Sequence, residues 1–173
     1  MYLRSIWNLV VVLTSVCVGP AVALDRWRKV IGPERSFSIE MPDQPMQIEK
    51  AAKAASGADY TLHGYILQRE HGAFLVLTAK YPLDVDVSNP RGVLRASLAD
   101  IAKSLTGGEW KSISWSRSSG AVTVDARGVR NGHDFRHFSM IKGHQIWWLT
   151  YSGLPGATRA PDAQRFFKSF HLL

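Results

Sequence analysis

The residues of this sequence with the most suggestive chemistry lie in "RNGHDFRH", residues 130–137. His133 and His137 are four apart with an acid between them, which is the spacing of a metal site on a helix. Asn131-Gly132 instead predicts a type I′ hairpin turn, because both central residues of that turn need positive φ. On a strand the two imidazoles would stand ~13 Å apart, whereas each must come within ~2.1 Å of a shared zinc ion. The sequence therefore predicts a turn here and no metal site.

A second candidate, "DVDVSNP" at residues 84–90, alternates oxygen donors as the first half of a calcium loop does. The pattern then fails, because Asn89 stands where glycine is needed and Arg95 stands where a bidentate glutamate is needed. The alternative is a polar loop in which Ser88 or Asn89 caps the following helix. The chain also has no G-x-S-x-G elbow, no glycine-rich phosphate loop before a helix and no diagnostic pair of carboxylates. We therefore expect no catalytic activity, no cofactor and no metal.

A polar lane across the predicted sheet is the most suggestive feature that remains. Pairing through the Asn131-Gly132 and Gly143-His144 turns puts Arg127 opposite Arg136, and Arg136 opposite Tyr151. Like charges directly opposite each other are unfavourable unless an acid or anion lies between them. The lane is therefore either a salt-bridged surface, with Asp125 and Asp134 on the same face, or an anion- or carboxylate-binding patch with Trp147 as an apolar wall. The candidate ligand-binding residues are Arg127, Arg136, Tyr151 and Trp147.

The elements that would position this lane are strands joined by short turns. Four strands form a predicted meander: "EWKSISWSR", "AVTVDARGVR", "HDFRHFSMIK" and "QIWWLTY". An earlier hairpin over residues 59–81 is predicted to turn at His71-Gly72, with Ile66 opposite Leu77 and Gln68 opposite Leu75. "RWRKV" and "SFSIEMP" predict two short strands, whereas "IEKAAKAASGA" is expected to be a loop or a frayed helical turn.

Two helices complete the predicted domain. "NPRGVLRASLADIAKSLTGG" predicts a helix capped by Asn89 and closed by Gly107, with an apolar stripe formed by Leu94, Leu98, Ile101 and Leu105. "PDAQRFFKSFHLL" predicts a short amphipathic helix with Ala163, Phe166, Phe167 and Phe170 on one face. Trp147 and Trp148 are neighbours on one strand and point to opposite faces, so both faces of the sheet should be covered. The fold class is α+β: an antiparallel sheet of hairpins with a central helix and a C-terminal helix packed on it.

The amino terminus predicts export. Residues 1–23 combine a positive start, an apolar stretch and Ala21-Val22-Ala23, which is typical of a secretory signal peptide cleaved after Ala23. An uncleaved anchor is the alternative. The mature chain, residues 24–173, would be a single domain without cysteine, because Cys17 is the only cysteine. Without Arg4 it carries 20 Lys and Arg against 14 Asp and Glu, a net charge of +6. For an exported protein this favours an envelope protein or anionic envelope component as partner rather than nucleic acid, with no membrane span after cleavage.

Several structural motifs together resemble the PsbP-like (Mog/PsbP) superfamily. They are "FSIEMPDQP" with Phe37, Pro42 and Pro45, the hairpins around a central helix, and the closing "FFKSF". The resemblance covers roughly Trp27 to Leu172. It implies an antiparallel sheet sandwiched by helices and a non-enzymatic accessory or binding role, and it transfers no functional residue.

Two functional hypotheses follow from the sequence. The first is an exported (periplasmic) accessory or interaction domain without catalytic activity. The second is a periplasmic binder of a small ligand, glycan or anion that uses exposed Trp110, Trp115 or Trp147 with Arg127 and Arg136. Burial of the mature chain's tryptophans would remove the aromatic platform that the second hypothesis needs.

Overall fold

Antiparallel strands dominate the structure, a computed structural model that describes residues 26–54, 56–104 and 109–173. The predicted signal peptide, its cleavage site and Cys17 lie outside the described residues. The described elements, in chain order, are β1 (Trp27–Ile31), β2 (Phe37–Pro42), β3 (Met46–Lys53), β4 (Asp59–Arg69), β5 (Gly72–Lys80), α1 (Pro90–Ser104), β6 (Glu109–Ser118), β7 (Ala121–Arg130), β8 (His133–Lys142), β9 (Gln145–Gly153), α2 (Pro161–Lys168) and β10 (His171–Leu172).

The strands form two sheets, and the larger one is the centre of the domain. Its order is β3-β4-β5-β9-β8-β7-β6, and a smaller sheet has the order β1-β2-β10. Helix α1 packs on one face of the large sheet, where its side chains join those of Trp148 and its neighbours. The small sheet and α2 cover the other face around Trp147. The predicted α+β class is confirmed, and Trp147 and Trp148 are both buried on opposite faces.

The meander β6–β9 follows the predicted order and turns. Asn131 and Gly132 have φ values of 47° and 77°, as a type I′ turn between β7 and β8 requires. The turn pairs Arg130 with His133. His133 is exposed at the start of β8 and His137 is wholly buried four residues further along, so the strand separates the two side chains as expected.

Helix α1 begins where the sequence indicates. The Asn89 side chain accepts a hydrogen bond from the Gly92 N–H at 3.0 Å, which caps the first turn. In the preceding loop, the Asp86 carboxylate accepts the Ser88 N–H at 2.8 Å, and this bond lowers the pKa of Asp86. The predicted stripe is buried at Leu94, Leu98 and Ile101; its last member, Leu105, and the closing Gly107 lie outside the described residues. Among those described, no helix is long and apolar enough to cross a membrane.

Two details of the predicted strands are wrong. The first part of the "IEKAAKAASGA" segment, residues 48–53, is not a loop or helical turn, because β3 pairs with β4 from Met46–Ile66 to Lys53–Asp59. Residues 56–58 belong to the connection between the two strands, as a loop would. Pairing with β4 outweighs the low strand propensity of its alanines and lysines. The β4–β5 hairpin turns at residues 70–71, so Ile66 lies opposite Leu75 and Gln68 opposite Ala73. The register is shifted by two residues, which leaves every side chain on its predicted face.

Two glycines allow backbone strain to be separated from steric overlap. A Cβ at Gly132 would meet nothing within 4 Å, whereas a Cβ at Gly64 in β4 would lie 2.1 Å from the Val76 carbonyl oxygen. We expect Gly132→Ala to lower the free energy of unfolding by about 1 kcal/mol through its positive φ alone. Gly64→Ala should cost about 3 kcal/mol, because β4 and β5 must move apart. Urea unfolding measures both, and equal costs would contradict the close approach at Gly64.

Candidate functional site

The strands that carry the predicted polar lane pair in the predicted register. Arg127 pairs with Arg136 across β7 and β8, and Arg136 pairs with Tyr151 across β8 and β9. Their side chains face the side of the large sheet that carries α2. The turns of the meander therefore bring these three candidate residues together as the sequence predicts.

Arg136 is already neutralised within the protein. Its Nε lies 3.2 and 3.1 Å from the two carboxylate oxygens of Asp125, and its guanidinium carbon lies 4.1 Å from the centre of the Phe167 ring. The side chains of Arg136 and Asp125 are only 15% and 25% exposed. A carboxylate already occupies the position opposite this guanidinium, and the aromatic ring covers its face. The geometry therefore favours the salt-bridged alternative for this part of the lane.

The two aromatic candidates belong to the core. Trp147 and Tyr151 are each 4% exposed, and the Tyr151 ring packs edge-on against Phe74 at 4.9 Å between ring centres. Burial, and secondarily the charge of Asp162, raise the pKa of the Tyr151 hydroxyl. The expectation that Trp147 is an exposed aromatic is wrong, because α2 and the small sheet cover the face on which it lies. Trp110 and Trp115 are half-buried on the other face.

A buried polar cluster lies beneath α1, and no sequence pattern indicated it. His137 Nδ1 is 2.9 Å from the Thr150 hydroxyl and its Nε2 is 2.5 Å from the Ser139 hydroxyl. Burial lowers the pKa of His137 to about 3, so the imidazole is neutral at physiological pH. The serine and histidine contact each other as a nucleophile and base would. Both are 0% exposed, however, and a substrate cannot reach them. We interpret the cluster as a satisfied polar network of the core.

The outermost strand of the meander is exposed at most of its described residues. β6 is the last strand of the large sheet, and no described strand pairs with its outer side. The register shifts between Trp110 and Ser112, and regular pairing with β7 then continues to Ser118. On the α1 face, Ile113 is 46% exposed and the Arg91 guanidinium lies 4.9 Å from the centre of the Trp115 ring. We call residues 112–118, with this outer side, the β6 edge.

Basic side chains surround the β6 edge. Lys111 and Arg117 are exposed on the strand itself, and Arg91 and Arg95 are exposed one turn apart on α1. Among the described carboxylates, none lies within 4.0 Å of these four basic groups. Sequence reasoning missed this surface because strand order in a sheet depends on non-local pairing. In the described residues there is also no cluster of three or more His, Cys, Asp or Glu that could hold a metal ion.

Comparison with known proteins identifies the architecture and nothing finer. No protein-family model matches the chain, and no curated protein matches it. Among solved structures, the solution structure of cyanobacterial PsbP (CyanoP) from Synechocystis sp. PCC 6803 superposes with a TM-score of 0.57, over 92% of this chain and 99% of that one. The fold is PsbP-like. Sequence identity is 11%, so the likeness shows the fold alone.

The pair of Arg136 and Asp125 in this PsbP-like domain should contribute measurably to its stability. Asp125→Asn would leave the Arg136 charge poorly hydrated and without its carboxylate, and we expect the free energy of unfolding to fall by about 2 kcal/mol. Asp59→Asn is the matched control, because Asp59 pairs with Lys53 but is 81% exposed; it should cost less than about 0.5 kcal/mol. Thermal and urea unfolding measure both variants. A cost for Asp125→Asn no greater than the control's would contradict a stabilising role for the pair.

Proposed function

We propose that this chain is an exported, non-catalytic accessory domain that binds an acidic, extended segment of an envelope protein along the β6 edge. The observation that carries the proposal is the outer side of β6, with which no described strand pairs and which basic side chains border. Export rests on the signal-like residues 1–23, and the non-catalytic role rests on the lack of a catalytic motif in the sequence. The PsbP-like fold supplies the rigid sheet on which the edge lies.

The backbone of the β6 edge can accept another strand. An edge strand presents a row of N–H and C=O groups that an extended peptide can pair with, and this pairing supplies affinity with little dependence on sequence. Proteins usually protect such edges with bulges, prolines or inward-pointing charges. Here the irregularity between Trp110 and Ser112 disturbs one end only, and seven residues continue in regular register to Ser118. That length matches an ordinary strand.

The charges around the edge determine which segment fits. Lys111 and Arg117 lie on β6 and have no described carboxylate within 4.0 Å. Arg91 adds a positive charge on α1 beside the aromatic ring of Trp115, and Arg95 is exposed one turn further along the helix. A segment with acids at alternate positions would place its carboxylates on the α1 face beside Arg117 and Arg91, and its remaining side chains on the opposite face. A basic segment would be repelled.

A second copy of the chain is a less favourable occupant. Two-fold antiparallel pairing centred on Ser114 would set Lys111 of one copy opposite Arg117 of the other. Like charges directly opposite each other destabilise a strand pair. Self-association through β6 is therefore an outcome that would count against the proposal.

The experiment is an NMR titration of the full chain with two peptides of about ten residues. One alternates glutamate with valine and the other alternates lysine with valine. We expect the glutamate peptide to shift the amide signals of residues 112–118 and to bind more weakly as salt is raised. The lysine peptide should leave these signals unchanged. Equal binding of both peptides, or no response on β6, would overturn the proposal.

Matched double variants test the role of charge. The double variant Lys111→Glu with Arg117→Glu should bind the glutamate peptide at least about tenfold more weakly, because two attractive contacts become repulsive. Lys80→Glu with Lys142→Glu changes the net charge equally at exposed positions on other strands, and it should retain affinity within about threefold. Equal losses in the two double variants would attribute binding to net charge alone. A dimer that is lost in the first double variant would instead identify a second copy as the occupant.

A further inference from the structure

A groove of about 530 Å³ lies at the end of the large sheet, away from the β6 edge. It spans the β4–β5 turn, the β7–β8 turn and the end of β9 between them, on the face that carries α1. Its volume is within the ~300–1,000 Å³ typical of sites for small molecules. The "RNGHDFRH" hairpin therefore forms one wall of a concave surface.

The floor of the groove is apolar and the wall is polar. Ile66 and Phe135 form the floor and are 4% and 3% exposed, and Leu154 lies at the rim with 49% exposed. Arg130 and His133 line the wall. This arrangement, an apolar floor with a few convergent polar groups, is the usual composition of a site for an organic ligand.

The Arg130 charge is available to a ligand. Its side chain is half-buried, and burial lowers the pKa of its guanidinium, which remains charged at neutral pH. No described carboxylate lies within 4.0 Å of it. Glu70 also lines the groove, but its carboxylate is 88% exposed and lies 3.9 Å from His71. A partly desolvated guanidinium without a paired acid gains from a bound anion.

His133 is oriented by its own turn. Its Nδ1 lies 3.3 Å from the Asn131 carbonyl oxygen, which favours a hydrogen on Nδ1 and leaves Nε2 for other contacts. Arg69, whose backbone is on the opposite side of the groove, donates from its Nε to the Pro42 carbonyl oxygen at 3.0 Å, toward the small sheet. Arg130 is therefore the group of the wall that an anion would meet.

We propose that this groove binds a small organic carboxylate with an apolar body. The body lies on Ile66 and Phe135, and the carboxylate pairs with Arg130. Inorganic anions lack the apolar part and gain nothing from the floor. The site differs from the Arg127–Arg136 lane, which faces the opposite side of the sheet.

The test is a titration of the full chain with 3-phenylpropionate, followed by the amide signals of Gly72 and Gly153 at the groove. The matched probe is 3-phenylpropionamide, which has the same body without charge. We expect the carboxylate to shift these signals with a dissociation constant of about 1 mM or below, and the amide to bind at least about tenfold more weakly. Equal affinities for the two probes, or no shift up to about 20 mM, would overturn the proposal.

Two variants on one strand locate the charge that matters. Arg130→Gln should lower the affinity for 3-phenylpropionate about tenfold. Arg127→Gln, three residues away on the other face of β7, should change this affinity less than about twofold. Should Arg130→Gln fail to fold, Arg130→Lys serves instead, because it keeps the charge without the planar guanidinium, and a loss of about threefold is expected. Equal effects of Arg130→Gln and Arg127→Gln would contradict the assignment of the groove.

Discussion

Lowering the pH from about 7 to about 4 is expected to reduce the free energy of unfolding by about 3 kcal/mol through His137 alone. Burial holds the pKa of His137 at about 3 in the folded protein, against an ordinary value of 6.5. Below pH ~6.5 the unfolded chain binds a proton that the folded chain excludes, so each further pH unit favours unfolding. The contribution of His137 to the free energy of unfolding is thus fully present above pH ~6.5 and is lost as the pH falls toward 3.

The measurement is urea unfolding at several pH values for the protein and two variants. His137→Gln should be less stable at neutral pH and should lose the pH dependence that this imidazole causes. His133→Gln is the control on the same strand, because its side chain is exposed, and it should keep the slope of the unsubstituted protein. If His137→Gln keeps that slope, the imidazole is not buried in neutral form as the structure has it.

Replacement of Phe166 by alanine is expected to lower the free energy of unfolding by about 4 kcal/mol. Phe166 is 0% exposed, and its ring packs edge-on against Phe74 of the large sheet at 5.4 Å between ring centres. It therefore attaches α2 to the face on which Trp147 lies. Truncation removes the buried ring and leaves a cavity that the neighbouring aromatic rings cannot fill by relaxation.

Phe167→Ala is the neighbouring control, since Phe167 is half-buried and carries the Arg136 guanidinium on its ring. We expect a loss of about 2 kcal/mol, roughly half that of Phe166→Ala. Thermal unfolding monitored by tryptophan fluorescence compares the two, because Trp147 lies in the same cluster. A larger loss for Phe167→Ala would contradict the packing of α2 described above.

The sequence predicts the local features of this fold well, because their causes are local. Asn131-Gly132 specifies its turn through positive φ, Asn89 specifies the start of α1 through its side-chain cap, and Trp147-Trp148 indicate a sheet covered on both faces. The sequence does not predict the strand β3, because the alanines and lysines of this segment favour other structures. Its pairing with β4 depends on a neighbouring strand rather than on its own residues.

The candidate sites show the same division between local and non-local causes. The Arg127–Arg136–Tyr151 register follows from two short turns and was predictable. The burial of Trp147 depends on α2 and the small sheet, which are distant in the sequence. The β6 edge and the groove beside Arg130 depend on the strand order β5-β9-β8-β7-β6. In that order β5 pairs with β9, although one helix and three strands lie between them along the chain. No spacing within the sequence encodes that pairing.

Amide hydrogen exchange along both edges of the large sheet tests the proposed function most directly. With a saturating peptide of alternating glutamate and valine, exchange at residues 112–118 of β6 should slow at least about tenfold, since added strand pairing protects edge amides. β3 is the opposite edge of the same sheet and serves as the internal control; its exchange should not change. Unchanged exchange on β6, or equal slowing on β3, would contradict the account of this chain as a binding domain that uses the β6 edge.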